Sequence, residues 1–65
     1  MPFSAREFRI INVLRNQDKS ITTGFIAERS GMSWQAAKRA LDDLFEKGYV
    51  RRGKSRGGTT YWVLV

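Results

Sequence analysis

Phe25-Ile26-Ala27-Glu28-Arg29-Ser30-Gly31-Met32-Ser33-Trp34-Gln35-Ala36-Ala37-Lys38-Arg39-Ala40-Leu41-Asp42-Asp43-Leu44-Phe45-Glu46-Lys47-Gly48 holds two helical patterns joined by a tight turn. Gly31 suits the left-handed conformation that ends a helix, so Gly24 to Ser30 reads as one short helix, capped by Thr22 or Thr23. Ser33 is a good cap for the next helix. Ala37, Ala40, Leu41, Leu44 and Phe45 then recur at spacings of three and four, giving that helix one apolar face. Gly48 closes it at about Lys47. The two helices are separated by a turn of about three residues, with Met32 expected to be buried in it. The second helix of such a pair projects outward.

Towards the N-terminus, Ser4 and Glu7 have the spacing of a capping box, and Phe3 and Phe8 flank it as a hydrophobic staple. Phe8, Ile11 and Leu14 follow at helical spacing, widened by Ile10 and Val13, which predicts a first helix from about Ala5 to Asn16. Ile21-Thr22 is long enough for no more than a short strand at a sheet edge. Towards the C-terminus the period changes to two. Tyr49 to Arg52 reads as a strand, Gly53 to Gly58 as a flexible turn, and Thr59 to Val65 as a returning strand rich in Thr, Tyr, Trp and Val. Alternation puts Thr60, Trp62 and Leu64 on one side of that strand, and Trp62 and Leu64 are assigned to the face that meets the helices. Tyr49, Trp62, Leu41, Leu44 and Phe45 are expected in the core. The sum is an α+β chain of three helices plus a C-terminal two-stranded hairpin, with a short β1 near Ile21, filling residues 1–65 as one domain.

Composition restricts what such a domain does. The 65 residues hold 12 Lys plus Arg against 6 Asp plus Glu, a formal charge of +6, which favours an acidic partner. Tyr49 to Val65 contains Arg51, Arg52, Lys54 and Arg56 and no acid. With no His and no Cys, there is no thiolate metal site and no imidazole base, so neither a metal nor another cofactor is expected. Asp42 and Asp43 are adjacent on a helix, and their side chains diverge by about 100° rather than converging as an acid–base pair. An enzyme is not expected. No apolar run reaches the roughly 18 residues of a membrane span, and the expected setting is cytoplasmic. The apolar ending Leu64-Val65 is compatible with truncation from a longer protein.

Phe25-Ile26-Ala27, the turn Gly31-Met32-Ser33, the spacing Ala37-x3-Leu41-x2-Leu44-x3-Gly48-Tyr49-Val50 and the closing Tyr61-Trp62-Val63-Leu64 together resemble a winged helix-turn-helix across essentially the whole chain. Arg56-Gly57-Gly58-Thr59-Thr60-Tyr61-Trp62-Val63-Leu64 is also similar to the closing strand of the small regulators of fimbrial operons, of the Pap and Fae type. That resemblance implies a bacterial transcription regulator acting with a larger DNA-bound protein. The winged helix that binds Z-form nucleic acid is similar in length, but its recognition helix carries an Asn, an Arg and a Tyr where this chain has Lys38, Arg39 and Asp42, and its wing has prolines where Gly57 and Gly58 stand.

On this reading the third helix, about 34–47, enters the major groove of double-stranded DNA with Trp34, Gln35, Lys38, Arg39 and Asp42 outward. Gln35 has the donor and acceptor pair that adenine offers, and Lys38 or Arg39 suits guanine O6 and N7. Backbone N–H groups beside Ser33 can meet a phosphate. Arg51, Arg52, Lys54 and Arg56 (the wing, 51–58) are assigned to the phosphate backbone, which supplies affinity rather than sequence choice. The competing reading makes the same charges a solvated face. A rival function is a protein-interaction adaptor anchored by Trp34. Oligomeric state is left open, since no spare apolar helix is present to build a dimer.

Overall fold

The computed structural model describes residues 3–65, in the order α1 (Ala5–Arg15), β1 (Ile21–Thr22), α2 (Thr23–Ser30), α3 (Trp34–Glu46), β2 (Val50–Lys54) and β3 (Thr60–Leu64). Each helix begins where a hydroxyl caps it. Ser4 Oγ accepts from Glu7 N–H at 3.1 Å, Thr22 Oγ1 from Phe25 N–H at 3.1 Å, and Ser33 Oγ from Ala36 N–H at 3.1 Å. Such a cap is worth about 1 kcal/mol over alanine. The box at α1 is complete, because Ser4 N–H donates back to Glu7 Oε1 at 2.7 Å. Phe3 and Phe8 meet edge to face at 6.2 Å, as a staple requires.

Gly31 takes φ 70°, and the Met32 N–H reaches back to the Ala27 carbonyl at 3.0 Å. That left-handed residue stops α2 and redirects the chain into the Ser33 cap, so the crossing of α2 and α3 is set within three residues.

The expected two-stranded hairpin is part of a three-stranded antiparallel sheet in the order β1-β3-β2. β1 is formed, with Ile21 opposite Trp62 and Thr22 opposite Tyr61. In the hairpin Val50 faces Leu64, Arg52 faces Trp62 and Lys54 faces Thr60. The turn joining β2 to β3 is short: Ser55 N–H donates to Thr59 O at 2.9 Å and Gly58 N–H to Ser55 O at 3.0 Å. Gly58 stands at φ 82°, the left-handed position that closes a three-residue hairpin loop.

The core lies between the sheet and the three helices and contains Ile10, Leu14, Ile21, Ile26, Ala27, Ala37, Ala40, Leu41, Leu44, Val50 and Trp62. Full burial of each larger side chain contributes about 1.5–3 kcal/mol. Trp62 is wholly buried, and its indole N–H donates to Thr23 Oγ1 at 2.7 Å, tying the middle strand to α2. Leu64 packs against the same core, half-buried, as does Met32.

Three core assignments change. The inward face of α1 is Glu7, Ile10 and Leu14, while Phe8 is exposed and Ile11 and Val13 are half-buried. Tyr49 is exposed and lies against the Phe3 ring at 4.8 Å, outside the core. It stands at the start of the hairpin, where its own N–H closes α3 by donating to Leu44 O, and its carbonyl accepts from Val65. Phe45 packs against the core but is only half-buried, beneath Arg52, whose guanidinium carbon is 4.1 Å from the ring centre.

Glu7 is a buried acid with a second partner, Lys47, whose Nζ is 2.9 Å from Oε2. Burial raises the carboxyl pKa, but the Ser4 backbone N–H, the Lys47 ammonium and the Ser4 side chain outweigh it, and the group is held below its ordinary range. A lowered folded-state value means the carboxylate stabilises the fold above the unfolded pKa, and that contribution disappears as pH falls through the folded value. Glu7→Gln keeps an acceptor for the cap and removes the charge. We expect about 1 kcal/mol lower stability at neutral pH, an amount limited by the solvent around Lys47. Urea unfolding between pH 7 and pH 3 should show the difference between parent and variant shrinking with acidity; a constant difference would refute the ion pair.

Candidate nucleic-acid interface

Helix α3 buries Ala37, Ala40, Leu41 and Leu44, and this turns Gln35 and Glu46 directly outward, with Arg39 exposed on the α1 side and Asp42 and Lys38 half-buried on the hairpin side. The residues turned away from the core divide along the axis. Trp34, Gln35, Lys38 and Arg39 occupy the N-terminal half, and Asp42, Asp43 and Glu46 the C-terminal half. Helix dipole and side chains therefore agree in sign at the end that begins with Ser33.

Trp34 is 54% exposed, with the rest of its surface covered at the start of α3. Ser33 is exposed and engaged as the cap. Gln35 is exposed at the first turn. Arg39 lies on the shoulder towards α1, where it lines an open cleft with Ser4, Ala5, Arg6, Glu7 and Asp43. Arg6 was not singled out by any sequence pattern. Its helical position gives no such signal, since its proximity to Arg39 depends on how α1 crosses α3.

Lys38 lies on the other shoulder, towards the hairpin. A second cleft, of about 450 Å³, is lined by Lys38, Arg52, Gly53, Lys54, Thr60 and Trp62. Strand alternation divides the wing. Arg52 and Lys54 share the helix-facing side with Val50, whereas Arg51, opposite Val63, belongs to the outer side of the sheet. Arg56 is exposed in the turn. The nine assigned residues thus do not form one surface: Lys38, Arg52 and Lys54 come together, Arg39 stands on the far shoulder of α3, and Arg51 is on the opposite face of the sheet.

Although Tyr49 to Val65 contains no acid, its basic cluster meets one in space. Asp42 reaches Lys38 Nζ at 2.7 Å and Arg52 Nη1 at 3.5 Å. Helix α3 supplies the acid that the strand sequence lacks. An exposed i,i+4 pair of this kind contributes about 0.3–0.5 kcal/mol, so it shapes the charge of the surface more than it holds the fold. Among the described residues, no group of His, Cys, Asp and Glu could hold a metal ion, and no helix is long and apolar enough to cross a membrane.

A three-helix layer, a tight turn before an outward helix and a three-stranded sheet ending in a basic hairpin define a winged helix-turn-helix, a fold of transcription regulators. The family model described as the MarR family matches residues 1–58, and the chain belongs to the MarR family. Among solved structures, it is similar to a MarR-family transcriptional regulator from Silicibacter pomeroyi, with a TM-score of 0.89 at 22% identity over 97% of this chain and 42% of that one. It is similar to the regulator BldR from Sulfolobus solfataricus, with a TM-score of 0.83 at 22% identity over 100% of this chain and 47% of the other. The zinc-responsive MarR family member ZitR from Lactococcus lactis gives a TM-score of 0.82 at 22% identity, covering 97% and 44%. At these identities the likeness is one of fold. The chain spans less than half the length of these solved relatives. The expected winged helix therefore stands, within the MarR family; the narrower likeness to fimbrial regulators is not confirmed.

Proposed function

We propose that residues 1–65 act as one DNA-binding unit of a cytoplasmic, nucleoid-associated transcription regulator, with the N-terminal half of α3 in the major groove and the hairpin on flanking phosphates. The observation that carries this reading is the charge division along α3: Gln35, Lys38 and Arg39 precede Asp42, Asp43 and Glu46 on the faces turned away from the core, Lys38 and Asp42 half-buried and the others exposed. A groove walled by phosphates attracts the first half and repels the second, which fixes which end enters. Lys38, Arg52 and Lys54 extend the positive surface to the hairpin, where Arg56 continues it at the tip. Ser33 and Trp34 stand at the entering end of α3, while Arg51 reaches a phosphate only if the backbone passes the outer side of the sheet. The domain works by contact rather than catalysis.

The test is selection from a random duplex pool over a salt series. Recovery of a defined motif, with affinity falling steeply as salt rises, is the expected result. Weak binding without a motif would instead support the second reading, an adaptor that acts on a DNA-bound partner. The exposed indole of Trp34 is what favours that alternative. A role with a larger regulator at fimbrial operons rests on the likeness of the Arg56 to Leu64 segment, with Ala37-Lys38 and the Leu41/Leu44 spacing also fitting.

A further inference from the structure

The groove-facing surface carries an internal countercharge, and we infer that Asp42 restrains binding to DNA of arbitrary sequence by holding Lys38 and Arg52 in ion pairs that phosphate must displace. The inference rests on the DNA-binding reading and adds to it a residue that sets selectivity. Three observations support it. First, Asp42 binds both cations: Lys38 Nζ donates to its two carboxylate oxygens at 3.0 and 2.7 Å, and Arg52 Nη1 lies 3.5 Å away. Second, Arg52 is stacked on Phe45 at 4.1 Å, so its guanidinium is fixed beside the acid rather than swinging out towards solvent. Third, all three charged side chains remain partly exposed, at 33, 40 and 47% for Lys38, Asp42 and Arg52. They are reachable by a ligand and are not a buried structural pair.

The physical consequence follows from counterion release. A cation already paired with a carboxylate neutralises a phosphate less fully and releases fewer of the small cations condensed on DNA, and the carboxylate itself repels the backbone. Lys54 and Arg56 form no such pair among the described residues and meet DNA at full charge. Contact by Lys38 and Arg52 requires rearrangement, which base-edge contacts at a correct site help to drive and a random sequence does not. Specificity is then raised by lowering the sequence-independent part of binding.

The experiment compares the parent chain with Asp42→Asn and Asp43→Asn on a random-sequence duplex, by fluorescence anisotropy from low to moderate salt. Asp43 is the matched control, because it is adjacent, exposed and on the α1 side of the helix, so its loss changes net charge equally without touching Lys38 or Arg52. Asp42→Asn is expected to bind about ten-fold more tightly near 0.1 M salt, with a log–log salt slope steeper by about one to two. Asp43→Asn should gain no more than about three-fold. Asp42→Ala should reproduce the gain of Asp42→Asn, which guards against an effect peculiar to the asparagine side chain. Equal gains from the two asparagine variants would overturn the inference in favour of net charge alone. An unchanged or weakened Asp42→Asn would also overturn it, making the acid a positioning group for the hairpin or a direct base contact. If the parent does not bind duplex DNA at any salt, the functional reading itself fails, and the inference with it.

Discussion

Trp62→Ala is expected to abolish cooperative folding or to lower the thermal midpoint by at least about 12 °C. Truncating a buried Trp removes about 3–5 kcal/mol through lost transfer energy and the cavity left behind. A chain of this length has roughly 3–10 kcal/mol in total, and each kcal/mol moves the midpoint of so small a domain by about 4–8 °C. The position concentrates the loss. Trp62 is fully buried on the middle strand, opposite Ile21 of β1 and Arg52 of β2. Its N–H is the partner of the buried Thr23 hydroxyl. Removing it leaves that hydroxyl without its donor and withdraws the packing that joins both strand pairs to α2. Trp62→Phe separates the two effects, keeping most of the ring while losing the hydrogen bond, and should cost about 1–2 kcal/mol. The check is a circular dichroism melt of both variants beside the parent. A midpoint for Trp62→Ala within a few degrees of the parent would show that the sheet does not depend on this residue.

That Trp62 faces the helices was legible from alternation alone, and so were the three caps, because each is decided by residues within three positions of one another. Gly31 belongs to the same class: one residue in a left-handed conformation sets the turn between α2 and α3. What was not legible depends on pairs distant in sequence. The apolar residues of α1, at 8, 10, 11, 13 and 14, spread over so wide an arc that periodicity does not select its centre. The crossing of α1 with the other helices selects it, and the selected face contains a charged residue, Glu7, that hydrophobic patterning excludes. Lys47, forty positions away, makes that burial tolerable. Tyr49 reads as core because it is aromatic and heads the first strand of the hairpin, yet it sits outside β2 and rests on Phe3. In the interface, the composition of α3 showed its outward residues, whereas the partnership of Asp42 with Arg52 required knowing where the hairpin returns. An acid-free strand is not an acid-free surface.

Arg39→Ala and Arg56→Ala are expected to weaken DNA binding in different ways, and the difference tests the assignment of α3 to the groove. Arg39 stands on the exposed shoulder of the helix, one turn from its N-terminus, where a guanidinium can address guanine O6 and N7 together. Losing a bidentate base contact costs about 1–3 kcal/mol at the preferred site, roughly ten- to hundred-fold, and relaxes preference at one base pair. Arg56 is at the hairpin tip, in a turn closed by Ser55 and Gly58, and has no base edge in reach if the helix fills the groove. Its loss should weaken all sequences alike and reduce the log–log salt slope by about 0.9, the value of one phosphate contact. Selection and salt titration on the two variants would separate these outcomes. A uniform loss with Arg39→Ala would place that side chain on the backbone, in the cleft it shares with Arg6, and shift base reading to Gln35 and Lys38. A changed base preference with Arg56→Ala would put the hairpin in a minor groove. Parent-like binding by both variants would mean that neither α3 nor the hairpin faces DNA, and the exposed Trp34 would become the first place to look for a protein partner.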